Sequence, residues 1–520
     1  MGSEMCIRDS FRTVLGYDGV LFNQAIAFQI HALKAAQRRF AFDELFLLQV
    51  GVLQQKQQWQ QLVGHPYTVS DEWVNKRVAA LPYELTDAQK RSLNEIRVDI
   101  AKDHPMNRLL QGDVGSGKTI IAVMGMAMVI EAGAQAALMA PTGILAEQHY
   151  QTIRKLLTVG TEEHPAFLQG GQVRLLTGDT SQADRREIFA GLESGYVKLL
   201  IGTHALIEDP VTFQNLQMVV VDEQHRFGVS QRAALRNKGD NPHLLVMPAT
   251  PIPRSLQFTI FGDLDVSIMD EMPAGRLPVT TMIVYPTERE RVYQTIRKQV
   301  EAGHQAFIIY PLVEAGENEE TKAAVDEQIR LQEEIFPDLK VGLVHGRLKP
   351  AEKDAVMVAF RARQYDILVS TSVVEVGVDI PNATIMVIEG ANHFGLSQLH
   401  QFRGRVGRGE AQSICFLIPD NESAFENRRL QVMTETNDGF RLAEVDLEER
   451  GPGDFLGTRQ AGAIDLKMAS LADTVLIKQT RELATKLLEE DPDLSQEEHQ
   501  DLRAAVAAFW PQADGAGDVS

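Results

Sequence analysis

Cysteine, long apolar runs and positive charge are all scarce in this 520-residue sequence. Cys6 and Cys415 are too few for a disulfide framework or a four-thiolate metal site, so we expect a protein of a reducing cytoplasm. The longest apolar-plus-glycine run, residues 120–130, is far shorter than the ~18 residues that indicate a membrane span. The N-terminus has no basic region followed by a long apolar core, so no secretory signal is predicted.

Basic residues are outnumbered, with 51 Lys and Arg against 71 Asp and Glu and a net charge of −20. This balance does not exclude nucleic acid, because phosphate binding depends on local basic patches. Part of the acidic excess lies in residues 489–520, a pattern typical of a solvated terminal helix and frayed end. With 44% apolar residues, the chain has ordinary globular composition and room for two or three domains.

A phosphate-binding loop is the strongest motif. Residues 112–119 read GDVGSGKT and fit G-x-x-x-x-G-K-[ST]. In this pattern backbone N–H groups curl around phosphate oxygens, Lys118 places its charge on the β/γ-phosphates and the Thr119 hydroxyl ligates Mg²⁺. An apolar strand at residues 108–110 precedes the loop, and a buried helix is predicted over residues 119–130, stopped at Gly133. A Gly-rich turn that fits by chance is the alternative.

An acidic pair weighs against that alternative. Asp222 and Glu223 close the apolar run of residues 218–221. Asp222 is predicted to hold Mg²⁺ through water, and Glu223 to orient and deprotonate the attacking water. An ordinary acidic turn at a strand end would explain an isolated pair, but the position after the loop favours catalysis. Together the two motifs predict a motor-type nucleotide hydrolase that uses ATP and Mg²⁺.

Short apolar segments alternate with helical ones along most of the chain. One series lies at residues 109–110, 136–140, 199–202, 218–221 and 244–247, and a second at residues 306–309, 341–345, 367–370, 385–388 and 414–417. This alternation predicts two parallel-sheet lobes with a cleft between them, joined by a linker at residues 272–278. Helical spacing over residues 23–61 predicts one or two long helices, which end before Gly64. Residues 1–10 carry no readable pattern and are interpreted as a non-native leader.

Three arginines lie close together in the second lobe. Residues 398–408 read QLHQFRGRVGR, with glycines that allow tight turns between the arginines. Arg405 and Arg408 are predicted to reach the γ-phosphate and the transition state from across the cleft, as arginine fingers in cis. A basic loop on nucleic-acid backbone and a solvated turn are the alternatives.

These motifs together resemble superfamily 2 helicases, and their wording resembles the RecG family, bacterial ATP-dependent helicases that remodel branched DNA. The resemblance covers roughly residues 30–480. It also rests on LTDAQ at 85–89, APT at 140–142, LAEQH at 145–149, GTHAL at 202–206, DEQHRFG at 222–228, ATPIPR at 249–254, GLVHGR at 342–347 and EVGVD at 375–379. Most discriminating is DLEERGPGDFLGTRQ at 446–460, which resembles the translocation motif that RecG shares with the transcription-repair coupling factor Mfd. Without the family match this segment would indicate only a Gly-rich loop after a charged helix.

The resemblance implies an α/β fold with two tandem RecA-like parallel-sheet lobes, at residues 81–274 and 275–430. A helical linker at residues 11–80 would precede them, and a translocation motif with a helical hairpin would follow at residues 431–470. C-terminal helices and the acidic tail would occupy residues 471–520.

The resemblance also implies roles for individual residues. The catalytic set would be Lys118, Asp222, Glu223, Arg405 and Arg408, with Thr119 and Asp222 as metal ligands. The nucleotide contacts would be Gln89 on the adenine, then Gly112, Asp113, Gly115, Ser116, Gly117, Lys118, Thr119, Gly377, Asp379 and Gln401. Thr142, Thr203 and Thr371 would touch the DNA backbone, Thr250 would couple ATP state to those contacts, and Arg450 and Gln460 would belong to the translocation element.

Three departures from the family pattern affect these expectations. Pro248 stands where a Ser or Thr is usual, which removes a hydroxyl and an N–H at the coupling motif, and His393 stands where an arginine is common. The residues before the first lobe are mostly helical in pattern and cannot supply the OB-type wedge domain of RecG. We therefore expect an N-terminally truncated member of the family.

The expected function is a DNA-dependent ATPase that translocates on duplex DNA and drives fork reversal or branch migration at stalled forks and Holliday junctions. The expected partners are branched and duplex DNA, with single-strand-binding protein as a candidate, and the expected state is a monomer in the bacterial cytoplasm. An Mfd-like translocase is one alternative, although residues 222–232 favour RecG and Mfd would need a polymerase-binding domain. A nucleotide-gated clamp that holds DNA without productive turnover is the other.

Overall fold

Two parallel sheets organise the chain, one in each half. The computed structural model describes residues 19–223, 234–259, 261–273, 275–311, 317–371, 380–409, 411–450 and 466–510. Helices cover both faces of each sheet, so the predicted α/β class with two parallel-sheet lobes is confirmed.

Lobe 1 is built on a seven-stranded sheet in the order β3-β4-β2-β5-β6-β1-β7, with every described pairing parallel. Three helices come first, α1 (Gly19–Gln60), α2 (Asp71–Ala79) and α3 (Asp87–Ile100). The lobe then contains β1 (Asn107–Gly112), α4 (Lys118–Glu131), β2 (Gln135–Met139), α5 (Gly143–Thr158), β3 (Val173–Leu176), α6 (Gln182–Glu193), β4 (Leu199–Gly202), β5 (Leu216–Asp222), β6 (His243–Met247), α7 (Arg254–Thr259) and β7 (Asp265–Met269).

Lobe 2 is built on a six-stranded parallel sheet in the order β10-β11-β9-β12-β13-β8. Its elements are β8 (Thr280–Ile283), α8 (Arg289–Glu301), β9 (Gln305–Ile309), α9 (Glu317–Arg330), β10 (Val341–Val344), α10 (Pro350–Arg361), β11 (Ile367–Ser370), β12 (Ala383–Glu389), α11 (Leu396–Arg403) and β13 (Ile414–Ile418). Four helices follow, α12 (Arg428–Glu435), α13 (Gly439–Arg450), α14 (Thr474–Glu490) and α15 (Gln500–Phe509).

The central strands are apolar because both of their faces are covered. Along β2, Leu138 packs into one core of lobe 1, while Ala137 and Met139 pack into the core on the opposite face. Lobe 2 repeats this arrangement along β9, where Phe307 and Ile308 belong to opposite cores. Helices on both faces of a parallel sheet produce such continuous apolar runs, which made these strands recognisable in the sequence.

The N-terminal and C-terminal helices pack against each other. Leu45 and Leu48 of α1 belong to one apolar cluster with Leu471, just before α14, and with Leu476 and Ile477 in its first turn. The helical pattern that left open one or two helices over residues 23–61 corresponds to one helix of 42 residues. None of the helices in the described ranges combines the length and apolar character that a membrane crossing requires.

A buried ion pair fixes the strand that precedes the phosphate loop. Nε of Arg108, on β1, donates to Oδ2 of Asp99, on α3, at 2.8 Å, and Nη1 donates to Oγ of Ser267 at 2.8 Å. Lys102 donates to the other carboxylate oxygen of Asp99 at 2.7 Å. The Arg108 and Asp99 side chains are 9% and 5% exposed, so each buried charge depends on the other.

A neutral histidine joins the segment after α1 to lobe 1. Nδ1 of His243 accepts the N–H of Met106 at 2.9 Å, and its Nε2–H donates to the carbonyl of His65 at 3.2 Å. Burial lowers the pKa of His243 to about 4. The neutral ring therefore serves as acceptor and donor at once, which the charged ring cannot do.

Candidate nucleotide-binding site

The loop at residues 112–119 lies between β1 and α4 at the carboxyl edge of the lobe 1 sheet. Gly115 and Gly117 have φ angles of 81° and 87°, a left-handed conformation that side chains other than glycine disfavour. Helix α4 begins at Lys118, so its free N–H groups and the positive end of its dipole face the loop. The predicted strand, loop and buried helix are therefore all present in the predicted order.

The amino group of Lys118 lies inside the loop, where Nζ donates to the carbonyls of Gly112 at 2.7 Å and Asp113 at 3.2 Å. Burial lowers the pKa of Lys118, opposed by the charges of Asp222, Asp113 and Glu223 and assisted by that of Arg408. Asp222, Glu223 and Arg408 of lobe 2 therefore lie close enough to Lys118 for their charges to act on its ammonium group.

A buried hydroxyl group of the loop is suited to binding a phosphate. The Ser116 hydroxyl is buried and has no hydrogen-bond partner among the described residues, although it lies inside the loop. Buried polar groups without partners are rare in folded proteins, and phosphate oxygens would satisfy this one. Among the described residues no group of three His, Cys, Asp or Glu side chains could hold a metal by itself. Mg²⁺ usually binds through one or two protein oxygens together with phosphates, so Thr119 and Asp222 suit it.

The acidic pair lies at the end of β5, with Asp222 as the last residue of the strand and Glu223 directly after it. Oδ2 of Asp222 lies 2.7 Å from Nε2 of His149, a residue of α5. Glu223 has a φ of 54°, which is unusual for a residue other than glycine, and its N–H donates to the carbonyl of Met247 at 2.8 Å and to Oδ1 of Asp222 at 3.0 Å. Strained backbone of this kind concentrates at functional sites, where the surrounding structure holds it in place.

Helix α11 of lobe 2 brings the arginine motif to the phosphate loop. His400 pairs with Oδ1 of Asp113, and Nη2 of Arg403 donates to Nδ1 of the same histidine at 3.1 Å. Gln401 and Arg405 are buried near this contact, and Nε of Arg408 donates to the carbonyl of Gly404 at 3.0 Å. Burial raises the pKa of Asp113, but His400 and the N–H donors of Val114 and Gly439 outweigh burial, so this pKa lies below its ordinary value.

Gln89 lies beside the loop with both polar atoms of its amide engaged. Oε1 accepts the N–H of Thr86 at 2.9 Å, and Nε2 donates to the carbonyl of Ser116 at 2.9 Å. Its predicted contact with adenine stays a prediction. In this arrangement Gln89 connects the start of α3 to the phosphate loop.

The four threonines predicted to contact DNA or to couple it to ATP follow strand ends at the carboxyl edges of the two sheets. Thr142 follows β2, Thr203 follows β4, Thr250 follows β6 and Thr371 follows β11. Thr142 caps α5, where its hydroxyl accepts the N–H of Leu145 at 3.3 Å. Thr203 and Thr371 are buried, and the Thr371 hydroxyl has no hydrogen-bond partner within the described ranges. Contact of these threonines with DNA stays a prediction.

Some predicted residues cannot be placed. Gly377, Asp379 and Gln460 lie outside the described residues, and Arg450 is described only as the last residue of α13. Other residues at the site were missed by sequence reasoning, namely His149, His400 and Arg276, whose Nη1 donates to the carbonyl of Val114. Each lies within a segment already singled out, namely residues 145–149, the arginine motif and the linker. Position in those segments was the only signal for them.

Three family models match the chain in sequence order. DEAD/DEAH box helicase matches residues 86–259, Helicase conserved C-terminal domain matches residues 288–410, and ATP-dependent DNA helicase RecG, domain 3, C-terminal matches residues 436–507. The third match covers α13, α14 and most of α15, the part of the chain that follows the two lobes.

Relatives and solved structures agree with these matches. ATP-dependent DNA helicase RecG from Synechocystis sp. is 51% identical over 507 residues, covering 96% of this chain and 60% of the relative. RecG from Bacillus subtilis is 46% identical over 474 residues, covering 91% of this chain and 68% of the relative. A structure of RecG bound to a three-way DNA junction has a TM-score of 0.73 and 42% identity, covering 88% of this chain and 58% of that one. The chain thus spans about 60% of the length of the Synechocystis relative, and it belongs to the RecG family of ATP-dependent DNA helicases.

Proposed function

We propose that this chain is an ATP-driven motor that translocates on duplex DNA and remodels branched DNA, by fork reversal at stalled forks and branch migration at Holliday junctions. The observation that carries the proposal is the approach of α11 from lobe 2 to the phosphate loop of lobe 1, through His400 and Asp113. A nucleotide held between two such lobes can alter their relative position, which a motor requires. The RecG relatives and the RecG structure on a three-way junction support branched DNA as the substrate.

Residues of the phosphate loop and of the acidic pair have different roles in ATP hydrolysis. With nucleotide bound, Lys118 exchanges its carbonyl partners for phosphate oxygens. Thr119 and Asp222 would hold Mg²⁺, which supplies charge neutralisation for the phosphate oxygens. His149 fixes the orientation of Asp222 through the 2.7 Å contact. Glu223 accepts the proton of the attacking water, and its fixed backbone keeps the carboxylate from turning away.

Arginines of lobe 2 contribute to ATP hydrolysis from across the cleft. Arg408 already acts on the electrostatics of Lys118, so it lies within range of the phosphate site. Arg405 and Arg408 stabilise the negative charge that develops on the transferred phosphoryl group, as arginine fingers do. Because both belong to lobe 2, hydrolysis depends on closure of the cleft.

DNA contact is assigned to the carboxyl edges of the two sheets. Thr142, Thr203 and Thr371 follow strand ends in both lobes, so opening and closing the cleft changes their separation. Arg450, at the end of α13, and Gln460 would belong to the translocation element, which would convert this movement into movement of the DNA. We propose the bacterial cytoplasm as the location because the relatives are bacterial proteins, and we propose from the family resemblance that the chain acts as a monomer. Single-strand-binding protein is a further partner proposed from the family resemblance.

The test is steady-state ATP hydrolysis without DNA and with single-stranded, duplex and forked DNA, together with a gel assay of fork reversal. We expect duplex and forked DNA to stimulate hydrolysis and fork reversal to require ATP. The Lys118→Met variant should lose hydrolysis, and Lys155→Met, which alters an exposed lysine of α5, serves as the matched control. A low rate that is the same under all four conditions would instead support the nucleotide-gated clamp.

A further inference from the structure

The side chains of Asp113 and Val114, the second and third residues of the phosphate loop, contact lobe 2. Oδ2 of Asp113 accepts the N–H of Gly439 at 3.1 Å, while Oδ1 accepts the N–H of Val114 at 2.6 Å and pairs with His400. The Asp113 and His400 side chains are 12% and 6% exposed. Both carboxylate oxygens are therefore engaged within the protein.

Gly439 is the first residue of α13, the helix that follows lobe 2 in the chain and packs against its core. Leu442 and Val445 of α13 belong to the same core as Leu399 and Phe402 of α11. The first N–H groups of a helix have no partner within the helix, and a negative charge near them is favourable. Asp113 therefore caps, from lobe 1, a helix that lies within the predicted translocation motif.

The hydrogen bonds of His400 define its tautomer. An arginine only donates, so Nδ1 of His400 must accept from Nη2 of Arg403. Nε2 of the ring then donates to Asp113. A glutamine at this position can present a similar donor.

Two glycines make room for this contact. A Cβ added to Gly404 would lie 2.7 Å from Cγ1 of Val114, so the bare face of this glycine receives the valine side chain. A Cβ added to Gly439 would lie 2.6 Å from Nε2 of His400 and 2.8 Å from Oδ1 of Asp113. A Cβ at either glycine would come too close to the phosphate loop, so these close contacts require glycine.

We propose that the Asp113 and Val114 side chains are positioning residues through which the phosphate loop sets the position of α11 and α13, so that nucleotide occupancy is passed directly to the translocation segment. The inference rests on the proposed function for its biological meaning. Its physical content is that the start of α13 is held by a residue whose backbone belongs to the phosphate loop. Nη1 of Arg276, in the linker between the lobes, donates to the carbonyl of Val114 and so connects the same part of the loop to the linker.

The experiment is hydrogen–deuterium exchange of peptides that cover the first turn of α13, without nucleotide, with Mg-ADP and with Mg-AMP-PNP. In the unmodified chain we expect nucleotide to change exchange at these amides. In His400→Ala the turn should exchange about tenfold faster without nucleotide, the effect of losing one charge-assisted hydrogen bond. Its response to nucleotide should also disappear. His400→Gln should restore both properties, because its amide can donate to Asp113 in place of the ring.

A second variant tests the same contact by insertion. Gly439→Ala should reproduce the His400→Ala result because its Cβ separates Asp113 from His400. Gly178→Ala, whose Cβ would meet nothing within 4 Å, is the matched control. His499→Ala is the control for losing a His–Asp pair, since Nδ1 of His499 lies 2.8 Å from Oδ2 of Asp491 in the C-terminal region.

ATP hydrolysis of the same variants separates the inference from the proposed function. We expect His400→Ala and Gly439→Ala to lose about tenfold in stimulation by forked DNA, with the KM for ATP changed less than about twofold. Unchanged exchange at the start of α13 in both variants would overturn the inference, as would a nucleotide response that persists in them. An unmodified chain that hydrolyses no ATP with any DNA would refute the proposed function, yet the exchange comparison without nucleotide would still decide the inference.

Discussion

Replacing Glu223 with glutamine removes a proton acceptor and leaves the size of the side chain nearly unchanged. The N–H of Glu223 donates to the carbonyl of Met247 and to Oδ1 of Asp222. These hydrogen bonds do not use the Glu223 side chain, so they should persist. Lys118 and the glycines of the loop are unaltered, so nucleotide binding should remain. Loss of a general base lowers rates by about 10²–10⁴-fold, and we expect ATP hydrolysis with forked DNA to fall within this range.

The backbone of Glu223 provides a second, independent measure. A φ of 54° costs a residue other than glycine ~1–2 kcal/mol, and glutamine carries the same cost as glutamate. Asparagine tolerates this conformation better. The Glu223→Asn variant should therefore be more stable than Glu223→Gln by ~1 kcal/mol and equally inactive.

Phosphate release at saturating ATP and forked DNA measures the rate, and binding of a fluorescent nucleotide measures the affinity. Urea unfolding compares the stabilities of the two variants. Hydrolysis at the unmodified rate by Glu223→Gln would refute the assignment of Glu223 as the base. Equal stability of the glutamine and asparagine variants would refute the account of the backbone.

Three further predictions concern charge and coupling. Arg108→Met leaves the buried carboxylate of Asp99 with Lys102 as its only charged partner and should destabilise lobe 1 by ~1–3 kcal/mol in urea unfolding, most of which Arg108→Met/Asp99→Leu should recover. His243 has a pKa of about 4 in the folded chain and 6.5 when unfolded, so its contribution is present above pH 6.5 and is lost as the pH falls toward 4. At about 1.4 kcal/mol per pKa unit this loss reaches ~3 kcal/mol, and urea midpoints of His243→Gln between pH 7 and 4.5 should change less than those of the unmodified chain. Arg450→Ala should lower the amount of fork reversed per ATP hydrolysed, measured as the ratio of the two rates, and an unchanged ratio would exclude Arg450 from coupling.

The central strands could be predicted from sequence, whereas three edge strands could not. Strands such as β2, β5 and β9 are buried on both faces, so each contains a continuous apolar run. The missed strands β3, β7 and β8 lie at sheet edges, where half of their residues or more are partly exposed. Partial exposure removes the apolar pattern, and β3 and β8 contain only four residues each.

In the candidate site as well, the features formed by neighbouring residues in the sequence could be predicted, whereas the contacts between distant residues could not. The phosphate loop is a local motif, because its glycines, Lys118 and Thr119 must stand at fixed spacing for their backbone to enclose a phosphate. The contacts of His149 with Asp222 and of His400 with Asp113 join residues 73 and 287 positions apart. No spacing rule connects such residues, since their meeting depends on how the sheets and lobes pack. The same applies to Gly439, whose role depends on a carboxylate from the other lobe.

The packing of α1 against α14 has a consequence for how the chain folds during synthesis. The two helices are separated by roughly 410 residues, which a ribosome adds in roughly 20–80 s at about 5–20 residues per second. During that interval Leu45 and Leu48 of α1 have no partner in α14, although the sheet of lobe 1 can already form. The apolar face of α1 therefore stays partly uncovered until α14 has been made, and docking of α14 is expected to be a late step of folding.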